Sequence, residues 1–163
     1  MELKGSCHCE KVSFKVLSHT PAPFMRCYCS ICRKCQGGGG YAINIMGQYD
    51  TLVVNGKEFV KEYQALRDKK TQELCGNVRY FCSECGSHLY AYDKQWSNFV
   101  YPFASAIDTP LPELEYEHVY HIMLDSKAEW VEAPEADKNH HAFRQYPDCS
   151  LEDWHKDNGR YIQ

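Results

Sequence analysis

The sequence lacks any long apolar segment. No stretch approaches the ~18 uninterrupted apolar residues of a membrane-spanning helix. The N-terminal stretch MELKGSCHCEKVSF also lacks the apolar centre of a signal peptide. We therefore expect a soluble protein that stays in the cytoplasm.

The chain also lacks a dense run of positive charge. Its 18 Lys and Arg residues are outnumbered by 22 Asp and Glu, which gives a net charge of −4. No basic run is dense enough to follow a phosphate backbone, so we expect no nucleic-acid partner. Low-complexity tracts and linker compositions are missing as well, and 163 residues fit a single domain spanning residues 1–163.

Helix signals are scarce, and the best lies at residues 150–159, where Ser150 can cap a helix and Gly159 can end it. Alternating and β-rich segments predict strands at 11–17, 41–46, 51–54, 77–82, 88–92, 98–103 and, as a longer strand, 116–123. Asn55-Gly56 predicts a tight hairpin that returns through residues 59–63. The predicted fold is mainly β with short helices, including one at the C-terminus.

Cysteine, by contrast, is abundant. A reducing compartment does not keep ten cysteines paired as structural disulfides, so metal ligation is the natural explanation. Two of them, Cys75 and Cys149, stand apart in the sequence. The others form three groups: Cys7 and Cys9; Cys27, Cys29, Cys32 and Cys35; and Cys82 and Cys85.

The strongest motif is Cys82-Ser83-Glu84-Cys85-Gly86. A C-x-x-C turn followed by glycine is typical of a zinc knuckle, because the turn directs both sulfurs to one ion and glycine relaxes the backbone. Structural zinc takes four ligands, so a second pair is needed. Spacing alone does not choose between the first C-x-C pair and members of the second group.

If the first C-x-C pair completes the knuckle, Cys27, Cys29 and Cys32 remain to hold a second zinc. Three thiolates would leave one coordination position open, as in catalytic zinc sites. Such a zinc can stabilise a bound thiolate or polarise a carbonyl. Alternatively, Cys35 is a fourth ligand and both zincs are structural. A disulfide framework is a further alternative, which the missing secretion signal disfavours.

These motifs resemble the glutathione-dependent formaldehyde-activating family, also called the centromere protein V/formaldehyde-activating domain. The matching pieces are G-S-C-H-C at 5–9, C-Y-C-S-I-C-R-K at 27–34 followed by Gly37, and R-Y-F-C-S-E-C-G-S-H-L at 79–89. Further matches are A-S-A-I-D-T-P at 104–110, H-I-x-x-D-S-K-A-x-W at 121–130 and Y-P-D-x-S-L-E-D-W-H at 146–155. The resemblance covers nearly the whole chain and implies an Mss4-like, zinc-bound β-sheet fold.

The resemblance also implies two zinc ions per chain. The structural zinc would be held by Cys7, Cys9, Cys82 and Cys85, and the catalytic zinc by Cys27, Cys29 and Cys32. The implied enzyme is a carbon-sulfur lyase that adds the thiol of glutathione to formaldehyde and gives S-(hydroxymethyl)glutathione. Cys35 departs from the family pattern, in which that position is not a ligand.

Cationic and imidazole side chains next to the ligands are candidates for binding and proton transfer. Arg26, Arg33 and Lys34 can pair with the two carboxylates of glutathione, or they are solvated surface charges. His8 and His88 can provide hydrogen bonds or a proton route, or they are simply packed or exposed.

Two other functions compete with this one. The segment C-x-x-C-G-x-H-L at 82–89 also resembles zinc-containing methionine sulfoxide reductases, whose late catalytic cysteine lies in an R-x-C-x-N context. Cys149 lies in Y-P-D-C-S, which does not match. A zinc-stabilised binding module without catalysis is the alternative from a different class.

Overall fold

A mainly β fold is present throughout the computed structural model, which describes residues 1–36 and 38–163. Gly37, part of the motif match around the second cysteine group, lies outside the described residues. The strands are β1 (Glu2–Ser6), β2 (Ser13–Leu17), β3 (Met25–Cys27), β4 (Ala42–Ile43), β5 (Gly47–Gln48), β6 (Val53–Asn55), β7 (Val60–Asp68), β8 (Glu73–Cys82), β9 (His88–Asp93), β10 (Phe99–Pro102) and β11 (Tyr120–Ile122). The helices are α1 (Ser30–Gln36) and α2 (Leu151–Asp157). The prediction of a mainly β fold with a C-terminal helix is confirmed.

The strands of the described residues form three sheets. The largest has the order β5-β10-β9-β8-β7 and is antiparallel throughout. A second sheet has the order β1-β2-β6, and a third has the order β11-β3-β4 with β11 parallel to β3. The alternation predicted for β2 is present, because Phe14 and Val16 are buried while Lys15 is exposed.

The buried cysteines lie in two separate parts of the core. The main apolar cluster packs Leu3, Phe14 and Val100 together and includes Cys7 and Cys82. A smaller cluster combines Cys27 and Cys32 with Ala42 and Ile122. The buried thiols are thus held by apolar neighbours on elements that already pack against one another.

The predicted hairpin at Asn55-Gly56 is wrong in its pairing. Gly56 does have a positive φ of 73°, but β6 pairs with β2, and β7 pairs with β8. A Cβ atom on Gly56 would collide with the carbonyl oxygen of Lys11. The turn therefore packs against the segment that leads into β2, and this contact directs β6 to β2 instead of β7.

Several predicted strands differ in extent, and β8 begins at Glu73 instead of residue 77. Segment 41–46 contributes only β4, with β5 following it, and segment 51–54 begins as a 3-10 turn that covers Tyr49–Thr51. The strand predicted at 116–123 is reduced to β11, because Tyr116–His118 forms a 3-10 turn closed by the Val119 N–H on the Tyr116 carbonyl oxygen (3.0 Å). Met123, with φ of 62°, ends the strand.

The C-terminal helix α2 forms as predicted. The Asp153 N–H donates to the Ser150 hydroxyl oxygen (3.0 Å), and the Trp154 ring stacks on Phe24 with centroids 3.9 Å apart. His155 is fully buried, where its Nε2 accepts from the Ala22 N–H (3.0 Å). Helix α1 was not predicted. In residues 1–36 and 38–163, no helix is both long and apolar enough to cross a bilayer.

Candidate metal centres

The structure gathers cysteines into two groups. The first group consists of Cys7, Cys9, Cys82 and Cys85, and it joins two turns that follow strands β1 and β8. The Cys7 N–H donates to the Val12 carbonyl oxygen (2.9 Å), and the Gly86 N–H donates to the Cys82 carbonyl oxygen (2.9 Å). Gly86 has φ of 73°, a conformation that glycine adopts at little cost. These turns bring four sulfurs within 4.8 Å of one another, those of Cys7, Cys9, Cys82 and Cys85.

The spacing of these sulfurs fits a tetrahedral ion. The Sγ atoms of Cys7 and Cys9 are 3.5 Å apart, and those of Cys9 and Cys82 are 3.7 Å apart. Four sulfurs at ~2.3 Å from one zinc would be ~3.8 Å from each other. Lys11 and Glu84 link the two turns on the outside through an ion pair of 2.8 Å. The first group can therefore hold a metal ion with little rearrangement.

The second group consists of Cys27, Cys29 and Cys32, and it lies where β3 passes into α1. Cys27 ends β3, Cys29 precedes the helix, and Cys32 belongs to the first turn of α1. The Cys32 N–H donates to the Cys29 Sγ (3.3 Å), so a thiol takes the place of a helix-capping hydroxyl. The three sulfurs lie within 4.8 Å of one another, with Cys27 and Cys32 buried and Cys29 half-buried.

Close packing of these three sulfurs separates their acidities. Hydrogen bonds from Cys27 and Cys32 lower the pKa of Cys29 to about 2. The same contacts, with Cys29 and then Cys32, raise the pKa of Cys27 well above its usual value. Cys29 can thus ionise while Cys27 keeps its proton. Thiols that share a proton in this way can release it when a metal cation binds.

Cys35 is separate from the second group. It lies one helical turn after Cys32 and is not among the thiols of the described residues that gather within 4.8 Å. Desolvation raises its pKa. The second group thus offers three sulfurs, whereas the first offers four.

A cation that the sequence analysis did not single out contacts the second group. Arg79, in the middle of β8, donates from Nη2 to the Cys32 Sγ (3.6 Å) and is only 7% exposed. A lone arginine in an alternating strand usually faces solvent, so nothing in the sequence pattern favoured Arg79 as a site residue. The available signal was its position in the otherwise apolar and aromatic run 78–82, three residues before Cys82 of the knuckle.

Tyr146 is an exposed aromatic residue, with 70% of its surface accessible to solvent. Desolvation, and then the charges of Cys27, Cys29 and Cys32, raise the pKa of its hydroxyl.

A polar cleft of about 670 Å³ separates α1 from the turns of the first group. Arg33, Lys34 and Cys35 line one wall, and His8 and His88 line the other. Desolvation, and then the charge of Arg79, lower the pKa of His88. The cleft lining thus combines the cations Arg33 and Lys34 with the carboxylates of Glu10 and Asp108, and it includes an imidazole that is neutral at pH 7.

Arg26 is directed elsewhere. Its guanidinium lies over the Tyr41 ring at 4.9 Å and near the Tyr116 ring at 5.9 Å. Because side chains alternate along a strand, Arg26 and Cys27 point to opposite faces of β3. Of the three predicted cations, Arg33 and Lys34 line the cleft and Arg26 does not.

Comparison with known proteins identifies the family. The model of the family "Glutathione-dependent formaldehyde-activating enzyme" matches residues 2–126, so the chain belongs to this family. A curated Halomonas elongata protein named "Putative glutathione-dependent formaldehyde-activating enzyme" is 52% identical over 155 residues, which covers 95% of each chain. The crystal structure of a Rhodobacter sphaeroides protein matches with a TM-score of 0.52 and 26% identity, over 67% of this chain and 91% of that one. The family predicted from the cysteine motifs is confirmed.

Proposed function

We propose that the chain is a zinc enzyme of the carbon-sulfur lyase type that joins glutathione and formaldehyde into S-(hydroxymethyl)glutathione. The observation that carries this proposal is the number of thiols in each cysteine group: the first gathers four and the second gathers three. Four thiolates saturate zinc, whereas three leave a position for a ligand. We assign a structural zinc to Cys7, Cys9, Cys82 and Cys85, and a reactive zinc to Cys27, Cys29 and Cys32.

The donor set suits zinc, because soft thiolates favour this ion over hard cations. When bound at the second group, zinc would act as a Lewis acid and stabilise a thiolate at neutral pH. The remaining tasks fall to the side chains of the protein: to bind glutathione, to orient it and to move one proton.

Binding and orientation belong to the cleft. Its volume of about 670 Å³ is within the usual range of ligand sites. Arg33 and Lys34 on the α1 wall can pair with the two carboxylates of glutathione, and the Arg33 Nε is already oriented by the Ser126 carbonyl oxygen at 3.4 Å. The tripeptide is thereby directed toward the helix whose first turn carries Cys32.

The reaction needs neither an oxidant nor a reductant. The sulfur of glutathione forms a bond to the carbonyl carbon of formaldehyde, the π pair moves to the oxygen, and that oxygen takes up the proton that the thiol lost. His88 lines the cleft and is kept neutral by desolvation, so it can accept the thiol proton and return it. Tyr146 provides a hydroxyl whose pKa is raised by desolvation and by the charges of the three thiols.

We also propose that residues 1–163 act as one domain in a reducing compartment, the cytoplasm. The segment after the family match packs back on the rest, since the Ile162 N–H donates to the His19 carbonyl oxygen (2.9 Å). Among the described residues the cysteines form no disulfide, as the cytoplasm favours.

Cobalt substitution combined with calorimetry tests the function. Glutathione added to the cobalt-loaded parent should release heat and change the visible spectrum, because its sulfur enters the open position. Cys29→Ser should lose both responses, and Cys149→Ser, outside both groups, should keep them. No heat with the parent, or equal affinity in Cys29→Ser, would refute glutathione binding at this centre and favour the binding module instead.

A further inference from the structure

Arg79 is a buried cation without an acidic partner. It lies on β8, an interior strand of the largest sheet, at 7% exposure, and the ion pairs formed by the described residues do not include it. Its Nε has no hydrogen-bond partner within residues 1–36 and 38–163. Burying a charge is costly unless an opposite charge compensates it. The group in contact with Arg79 that can supply this charge is the thiol cluster, through Cys32 at 3.6 Å.

Charge arithmetic explains why the cluster needs such a cation. Three thiolates and one divalent ion carry a net charge of −1, in a site where Cys27 and Cys32 are buried. One guanidinium brings the total to zero. A fourth sulfur that binds as a thiolate then gives −1 instead of −2. Arg79 thus lowers by one unit the negative charge that accumulates when an anionic ligand binds.

We propose that Arg79 is the counter-cation of the second cysteine group, and that it makes the open position of this group favourable for an anionic sulfur ligand. The part concerning the ligand rests on the proposed function. Arg79 is a positioning residue here, since it acts on metal and substrate through Cys32.

The other cations near the site have different partners. Arg33 contacts the Ser126 carbonyl oxygen and lines the cleft, Lys34 is exposed, and Arg26 stacks on Tyr41. Arg33 and Lys34 are thus placed to contact carboxylates of a ligand in the cleft, and Arg26 is not. Among the described residues, hydrogen bonding from a cation to the thiols of the second group comes from Arg79.

The test measures metal affinity first, without substrate. Cobalt is titrated into the parent, Arg79→Gln and Arg79→Lys against a competing chelator, and binding at each group is followed by the visible spectrum and metal counts. Loss of a partner that hydrogen-bonds a metal ligand typically weakens affinity by 10- to 100-fold. We expect a loss of that size for Arg79→Gln at the second group alone, and recovery to within roughly threefold of the parent in Arg79→Lys, because the neighbouring thiolates favour the charged form of the lysine.

Arg67→Gln provides the matched control, because Arg67 lies on the neighbouring strand β7, is exposed and pairs with Glu73 instead. It should behave as the parent. Unchanged second-group affinity in Arg79→Gln would overturn the proposal, and so would a tenfold loss in Arg79→Lys. If circular dichroism shows that Arg79→Gln does not fold, Arg79→Met replaces it, since its apolar chain leaves no polar group unpaired, and the Lys criterion stands in either case.

A second arm adds glutathione to the metal-loaded proteins. Binding should weaken by about tenfold or more in Arg79→Gln, while Arg79→Lys stays close to the parent. If the parent itself binds no glutathione, the proposed function fails, but the metal arm still decides whether Arg79 balances the charge of the thiol group. If metal affinity changes and glutathione affinity does not, the ligand part of the proposal is refuted.

Discussion

Replacement of Cys82 by serine tests the structural role of the first cysteine group. Cys82 is fully buried, ends β8 and belongs to the main apolar cluster. The variant keeps the size of the side chain nearly unchanged. It replaces one soft ligand by a hydroxyl that zinc binds poorly, so the loss of stability should depend on metal.

The expected magnitude has two parts. Loss of a direct ligand must weaken metal binding by at least the ~100-fold that an outer-sphere partner can cost, which corresponds to about 2.8 kcal/mol of folding free energy. A buried hydroxyl without a good partner adds about 1 kcal/mol or more. A total of about 4 kcal/mol is a large share of the 5–15 kcal/mol that typically stabilises a domain.

Urea unfolding with saturating zinc and with excess chelator is the assay. The difference between parent and Cys82→Ser should be about 4 kcal/mol or more with zinc and shrink to about 1 kcal/mol in chelator. Cys75→Ser changes the same residue type on the same strand, outside both groups, and should remain near the parent in both conditions. An equal difference in zinc and in chelator would refute the assignment of Cys82 as a ligand.

Three further predictions concern metal content, glutathione and pH. Protein purified without chelator should contain two zinc ions per chain, and Cys29→Ser should retain one ion and its circular dichroism spectrum; loss of both ions with collapse of the fold would show that the groups are not separable. Arg33→Ala and Lys34→Ala should each weaken glutathione binding in calorimetry by roughly tenfold if each cation pairs with a carboxylate. Unchanged affinity would show that these residues are solvated surface charges. His121 is buried and accepts or donates a hydrogen bond with the Tyr28 hydroxyl, and desolvation, and then Arg26, lower its pKa to about 4. Since the unfolded chain binds this proton near pH 6.5, the stability of the parent relative to His121→Phe should fall as pH drops from about 6.5 to about 4, by on the order of 3 kcal/mol; parallel pH curves from chemical denaturation would contradict it.

The two local cysteine motifs could be predicted from the sequence, whereas the pairing of Cys7 and Cys9 with Cys82 and Cys85 was implied only by the family resemblance. A C-x-x-C-G turn determines its own backbone through Gly86, and C-x-C-x-x-C places three thiols within six residues. The terminal helix was equally visible, since Ser150 and the following acidic residues provide an N-terminal cap.

Features that depend on distant contacts could not be predicted in this way. Helix α1 was missed for a local reason instead: it has no apolar periodicity, and its first turn is capped by the Cys29 sulfur, which accepts from the Cys32 N–H, rather than by a hydroxyl or carboxylate. The pairing of β6 with β2 depends on the close approach of Gly56 to Lys11. Arg79 acquires its role only because β8 passes beside the start of α1, a contact across 47 positions of sequence.

Strand β8 has a further consequence for how the two centres would acquire metal. Because side chains alternate along a strand, Cys82 and Arg79, three positions apart, point to opposite faces of the sheet. An ion at the first group would fix the end of β8 through Cys82, and the same strand holds the guanidinium against Cys32. Coupling between two binding sites is reciprocal, so an ion at either group should raise the metal affinity of the other by the same factor. Metal should therefore load cooperatively across the two centres.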